Sequence, residues 1–375
     1  MSTAIRPRRF PWFDYSRYTF SLGLDIGGGV AVLSGHTASE YDPERRTMVV
    51  RGPLEQQVRT AYAKIEAILE GASLTLGDVV RVVEYVKVAA IDDYPEIERV
   101  RREVLAGAEP AVNTVCVSAL LRPEALLEIE VVARRPGEAS AADPLDGVVY
   151  LPSLMAPKAG DLVGQAAAVY EKAADLLAPL GLSLASVTKT VDYCPASTLP
   201  EYRYTGRVRR ERLGPVYPGA TGILVERLSH PEALIQVDVM ASRHRAEAVN
   251  PGWERYSRLT YSPAVKAGRV LFLSGQAALD PASEGALFDG DVVAQADYTY
   301  GNIVTVLSAA GLGPQALVKT IEYVLPEALN DYRKVAEVRS RHLGEPFPAS
   351  TGLVIPRLLR PEFLIEIDPL AVFPE

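Results

Sequence analysis

Three short patterns recur along this chain, and they recur in register. A glutamine opens an amphipathic, helix-like stretch at Gln57, Gln165 and Gln295. An acidic residue precedes a tyrosine in "VVEYV", "TVDYC" and "TIEYV", which places Tyr85, Tyr193 and Tyr323. A proline introduces an acidic and apolar run in "RPEALLEIE", "HPEALIQVD" and "RPEFLIEID", at Pro123, Pro231 and Pro361. Each marker steps by 108 residues from the first copy to the second and by 130 from the second to the third. The copies therefore align without a gap from glutamine to proline, so one supersecondary unit is used three times.

Each copy reads the same way. In the first, "LEQQVRTAYAKIEAILEG" carries apolar residues at three- and four-residue spacing and predicts a helix of about four turns. The β-branched and aromatic run "RVVEYVKV" predicts a strand. A second helix follows, with Arg101, Arg209 and Arg339 at equivalent places, and two strands close the unit. The last of these, "LLEIEVVA", "LIQVDVMA" or "LIEIDPLA", alternates as a half-buried strand does. A hairpin leads in through "GVAVLSGH" and "RVLFLSGQ" in copies one and three. The expected fold is α+β, three β-β-α-β-α-β-β units with both helices on one face of each sheet. The other, apolar faces are expected to cover one another about a pseudo-threefold axis.

The copies are not equal. "WFDYSRYTFS" (Trp12–Ser21) and "WERYSRLTYS" (Trp253–Ser262) precede copies one and three and contain the only two tryptophans. Copy two has the linker-like "RRPGEASAADPLDG" instead and a clipped hairpin, so it reads as a degenerate, partly structural unit. The expected units span 12–136, 137–246 and 250–375. "GGG" at Gly27–Gly29 precedes a strand with no helix after it, which makes it a hairpin turn and not a nucleotide loop.

Composition narrows the function classes. A net charge of −8 argues against a general nucleic-acid backbone binder. No apolar run approaches a membrane span, and the N-terminus lacks the apolar core of a secretory signal. Two cysteines without metal or redox spacing fit a reducing cytoplasm, and no metal or other cofactor is expected.

The quoted motifs, those of copy three above all, resemble the Rid (YjgF) family of enamine/imine deaminases. Copy three supplies "TYSPAVKAGRVLFLSGQAALDP" and "FPASTGLVIPRLLRPEFLIEIDPLAV". The resemblance implies a homotrimer fused into one monomeric chain, with ligand clefts between units. It makes Tyr261 (Phe20 in copy one) a cleft residue and Ser274, Gly275 and Gln276 the ligand-facing strand end. Ser34, Gly35 and His36 are their equivalents in copy one. It makes Glu366 and Glu128 the carboxylates that position water or a proton, with Gln236 in copy two. Tyr323, Tyr85 and Tyr193 would line the cleft, and Thr351 and Asn113 would join the ligand-facing set.

One departure matters. The deaminating members carry an arginine directly after "PA", which pairs with the substrate carboxylate; here the equivalents are Val112, Ala220 and Ser350. Arg17 and Arg258, inside the repeated lead-in, either replace that cation or pack a domain boundary over aromatic faces. Glu128 and Glu366 are either general acid/base groups in a desolvated cleft or ion-paired strand residues. His36 either transfers protons, with its near-neutral pKa, or sits in a surface turn. Glu84, Asp192 and Glu322 read as structural, with pairing to Arg81, Lys189 and Lys319 across copies. The expected function is hydrolytic or proton-transfer chemistry on an imine, enamine or enol-type small molecule, with a carboxylate on the ligand. The alternatives are a chorismatase-like hydrolase or lyase, which would keep Glu366 and Arg258, and a ligand-binding module without catalysis. A ribonuclease is the weakest reading, because the acidic chain lacks a basic and aromatic platform.

Overall fold

The computed structural model describes residues 2–12, 14–15, 18–136 and 143–374. Among the described residues three large sheets are present, each built on the same trio of long strands. In the first, Val79–Lys87 lies between Leu127–Arg134, antiparallel, and Ala111–Val117, parallel. The second repeats this with Val187–Pro195, Gln236–Ser242 and Gly219–Val225. The third repeats it with Leu317–Val324, Ile365–Val372 and Ala349–Val354. A parallel pair needs a crossover, which the second helix of each unit supplies: Tyr94–Val104, Thr205–Arg212 and Val335–His342. The long helices Leu54–Gly71, Leu162–Leu177 and Val292–Ala309 lie beside them.

The repeated glutamine closes each unit. Gln57 accepts from the Leu126 amide at 2.9 Å, Gln165 from Leu234 at 2.8 Å and Gln295 from Leu364 at 2.7 Å. Each also donates to carbonyls on both sides, so a buried amide side chain is satisfied by backbone that no strand would otherwise pair.

Strand alternation divides the central strands between two faces. Glu84, Asp192 and Glu322 face the helices, where Arg101, Arg209 and Arg339 of their own units pair with them. Tyr94, Tyr202 and Tyr332 add a hydroxyl to the same carboxylates. The structure thus corrects the expected partner: the pairs form within a copy. Two of the basic residues three positions earlier do pair across copies, but with the last strand. Lys319 meets Glu130 at 2.6 Å, and Lys189 meets Asp368.

On the axial face Val83 and Tyr85, Val191 and Tyr193, and Ile321 and Tyr323 enter one common core. The Tyr193 and Tyr323 hydroxyls meet at 2.9 Å, and all three tyrosines are buried. This corrects the expectation that Tyr85, Tyr193 and Tyr323 line a cleft, because they close the axis instead. Each such side chain contributes roughly 1.5–3 kcal/mol by leaving water, an amount no unit would gain alone.

The lead-in hairpins pair Gly23–Asp25 with Val30–Leu33 and Ala264–Ala267 with Val270–Leu273. Gly27, Gly28 and Gly29 all take positive φ in the first of these turns. In the second unit Val148–Tyr150 and Leu154–Met155 both pair with the closing strand and form no hairpin. The first unit also carries an added hairpin, Ser39–Asp42 with Thr47–Val50. Its Ala119–Leu120 strand crosses to extend the third sheet. No helix among the described residues is long and apolar enough to cross a membrane.

Candidate active site between the first and third units

The strand end Ser34–His36 of the first unit abuts the strand Ala349–Val354 of the third. Ser34 Oγ donates to Ser21 O at 2.5 Å and accepts from the Ser350 amide at 2.8 Å. The Gly35 amide donates to Thr351 Oγ1 at 2.9 Å, and Thr351 donates onward to Glu130 at 2.7 Å. Ser34 and Thr351 therefore stitch two units together, and the Gly35 amide is already engaged; none of these groups points free toward a ligand.

Beyond this seam opens a cavity of about 540 Å³, lined by Gly35, His36 and Glu128 on one side and Ser350, Gly352 and Arg333 on the other. Glu128 is buried against the floor. Its carboxyl lies directly over Gly35, where a Cβ would fall 2.1 Å from Oε1. Only glycine leaves that space. Burial pushes the Glu128 carboxyl up to about 8; Lys319 and Lys64 oppose the rise and Glu130 adds to it. A carboxyl near that value holds a proton at neutral pH and exchanges it readily.

His36 does not titrate near neutrality as expected. Its Nε2 donates to Leu22 O at 3.0 Å, and burial, with Lys64 and Lys319, lowers its pKa to about 3 against the carbonyl's opposing pull. It is a neutral imidazole at the cavity wall and no surface turn residue. Trp12 packs edge-on to it at 6.4 Å, and Tyr15, Tyr18 and Phe20 continue the aromatic wall. The lead-in motif thus builds one side of the cavity.

Cations reach the cavity from positions the sequence reading passed over. Arg122 and Arg333, both exposed, line it from different units, and neither has an ion pair with a described residue. Arg122 directly precedes Pro123 in the repeated marker. Arginine recurs there as Arg360 in the other copy that keeps the glutamate, while His230 stands there in the copy that has Gln236. That covariation within one chain was the available signal. Of the two expected cations, Arg17 lies outside the described residues, and Arg258 is paired with Glu284 at a different joint.

The joint between the third and second units has the same parts more tightly closed. Glu366 lies over Gly275, whose Cβ would fall 2.5 Å from Oε1, and burial together with Asp368 pushes its carboxyl up to about 8 against Lys189. The Gly275 amide donates to Thr221 Oγ1 at 3.0 Å and Ala220 O at 3.1 Å, and Ser274 Oγ accepts from the Ala220 amide at 2.8 Å. Gln276 bonds back to Ser274 O at 3.3 Å. Tyr261 lines a separate outer groove with Tyr217 and Trp253.

At the third joint the site is filled. Ser153 stands in the glycine position, and its hydroxyl accepts from Gln236 at 2.9 Å and donates to Asp238 at 2.9 Å. Asn113, expected in the ligand set, donates to Leu151 O at 3.3 Å and is buried in this seam.

Three like units about one axis, with carboxyl-bearing joints between them, define a single-chain α+β pseudo-trimer. The family profile described as Endoribonuclease L-PSP matches residues 15–135 and 254–373, and the chain belongs to this Rid (YjgF) family. The match leaves out the whole of the second unit. Over 111 residues the chain is 36% identical to a RutC family protein of Pyrococcus horikoshii, covering 30% of this chain and 85% of that one. Over 112 residues it is 36% identical to the 2-iminobutanoate/2-iminopropanoate deaminase of Mus musculus, covering 30% of this chain and 80% of that one. The crystal structure of a chorismatase shares the fold over 79% of this chain and 93% of that one, with TM-score 0.55 at 18% identity.

Proposed function

We propose that this protein is a small-molecule enzyme whose working site is the cleft between the first and third units. The chemistry is hydrolysis or proton transfer on an anionic imine, enamine or enol-type compound. The observation that carries this reading is Glu128, a protonatable carboxyl over Gly35 at the floor of an open cavity, with no hydrogen bond to a described residue. Protonated Glu128 donates to the imine nitrogen, which makes the neighbouring carbon electrophilic. The carboxylate then takes a proton from the attacking water, and ammonia and a carbonyl compound leave. His36, neutral, supplies a fixed polar wall, and Arg122 and Arg333 hold the anionic end that the absent family arginine would have held.

A second reading, cleavage of a ring-sized enol-ether acid as in a chorismatase, is favoured by cavity size. A volume of about 540 Å³ falls in the range of pockets for ligands well beyond a four-carbon imino acid. One assay separates the readings: product analysis by mass spectrometry with 2-iminobutanoate and with chorismate, wild type beside Glu128→Gln. Keto acid and ammonia support the first reading, and pyruvate from chorismate the second. No turnover of either leaves a ligand-binding protein, detected as a melting shift without product. The partners expected on this reading are a small molecule and neither nucleic acid nor membrane, and the chain works as a cytoplasmic monomer.

A further inference from the structure

The joint between the third and second units carries three arginines gathered around one glutamate of the chain itself. Glu284 sits at the tip of a turn with φ +57°, a left-handed conformation that costs a non-glycine residue energy. The turn is pinned from below by Asp280, which accepts from Ser283 Oγ at 2.6 Å and from the Ala282 amide at 3.1 Å. Arg258 bonds the Glu284 carboxylate, Arg255 approaches it at 3.9 Å, and Arg360 donates to the Glu284 carbonyl at 2.8 Å. The Arg255 Nε is buried with no hydrogen-bond partner among the described residues. A buried guanidinium donor beyond hydrogen-bond reach of the nearest carboxylate is incompletely satisfied, and a ligand oxygen would complete it. The aromatic pair Tyr256 and Tyr261, 5.5 Å apart, flanks the cluster, with the Arg255 guanidinium 5.1 Å from the Tyr256 ring.

Pseudo-symmetry gives this arrangement its meaning. Arg360 is the counterpart of Arg122, which lines the open cavity of the first joint without an ion pair to a described residue. We propose that the joint between the third and second units is a second site for an aromatic carboxylate, held shut by Glu284. Its carboxylate takes the ligand's place beside Arg255 and Arg258, and Arg360 holds its turn through the main-chain carbonyl. This rests on the reading above only in treating the joints as anion-accepting clefts.

The test is calorimetric titration of the full-length protein with phenylacetate. Glu284→Gln removes the competing charge, and Glu284→Asn keeps a residue that tolerates the left-handed turn while shortening its reach. Both are expected to tighten binding at that joint about tenfold, as when a competent state rises from a tenth of the population to nearly all, so that it fills as one more site per chain at ligand concentrations that leave it largely empty in the wild type. Adding Arg360→Ala is expected to abolish the gain. Wild-type stoichiometry and affinity in both folded variants would overturn the proposal, and so would a gain that survives Arg360→Ala. One site in the variants and none in the wild type would support the latch while removing the proposed anion site of the first joint.

Discussion

The first and third joints of this molecule are built on the same scaffold and do opposite things with it. Where the first pair is Gly35 and Glu128, the pair at the joint of the second unit with the first is Ser153 and Gln236. Glycine leaves a space of one methyl group, and the glutamate carboxyl lies in it, desolvated and protonatable. Serine fills the space, and the uncharged amide bonds to it and to Asp238. A protein that kept the carboxyl and lost the glycine would drive Oε1 into a Cβ. One that kept the glycine and lost the carboxyl would leave a void. The two positions therefore have to change together, and at the first joint the desolvated carboxyl opens onto a cavity.

The largest test of this contrast is Glu128→Gln, which copies the filled joint into the open one. A fall in kcat of about 10²- to 10⁴-fold on a turned-over substrate is expected for the loss of a general acid or base. Gly35→Ala comes next: the carboxyl must move off its seat, and a displacement near 1 Å costs about 10²-fold in rate. Its counterpart Ser153→Ala takes one hydrogen-bond partner from both Gln236 and Asp238 and lowers stability by about 1–3 kcal/mol, read by denaturant melting. Arg122→Ala is expected to raise KM about tenfold, through loss of a charged hydrogen bond to the ligand anion, with kcat nearly preserved. The smallest effect is on stability against pH. Because the Glu128 carboxyl rises from its usual 4.5 to about 8 on folding, its contribution is fully present below pH 4.5 and lost as pH climbs through about 8. The melting temperature of the wild type is therefore expected to fall more steeply between pH 5 and 9 than that of Glu128→Gln.

Much of this was legible before any coordinates. The constant offsets of glutamine, tyrosine and proline gave the repeated unit, and the β-branched run "RVVEYVKV" gave its central strand. The degenerate second copy was readable from its missing lead-in and from Gln236. What the sequence hid was contact between elements far apart along the chain. Nothing local tells Tyr85 that two other tyrosines share its pocket, so a strand tyrosine read as cleft-lining turned out axial. Arg101 and Glu84 are 17 positions apart on a helix and a strand, and only the fold chooses between them and the nearer Arg81. The titration of His36 was hidden for the same reason, since it is set by burial, with Trp12 packed edge-on, and by the charges of the distant Lys64 and Lys319. The added hairpin that brings Met48 to the cavity has no counterpart in the other copies and so left no repeat to detect.

The crossing of Ala119–Leu120 into the third sheet has a consequence for how the protein behaves in a cell. A cleft assembled from separate subunits comes apart when the subunits dilute below their dissociation constant. Here both walls of the first joint are carried by one chain and tied by backbone pairing, so the partner wall is always present at a high effective concentration. Activity per molecule should stay constant on dilution to any level at which the chain remains folded, and a few copies would work as well as many.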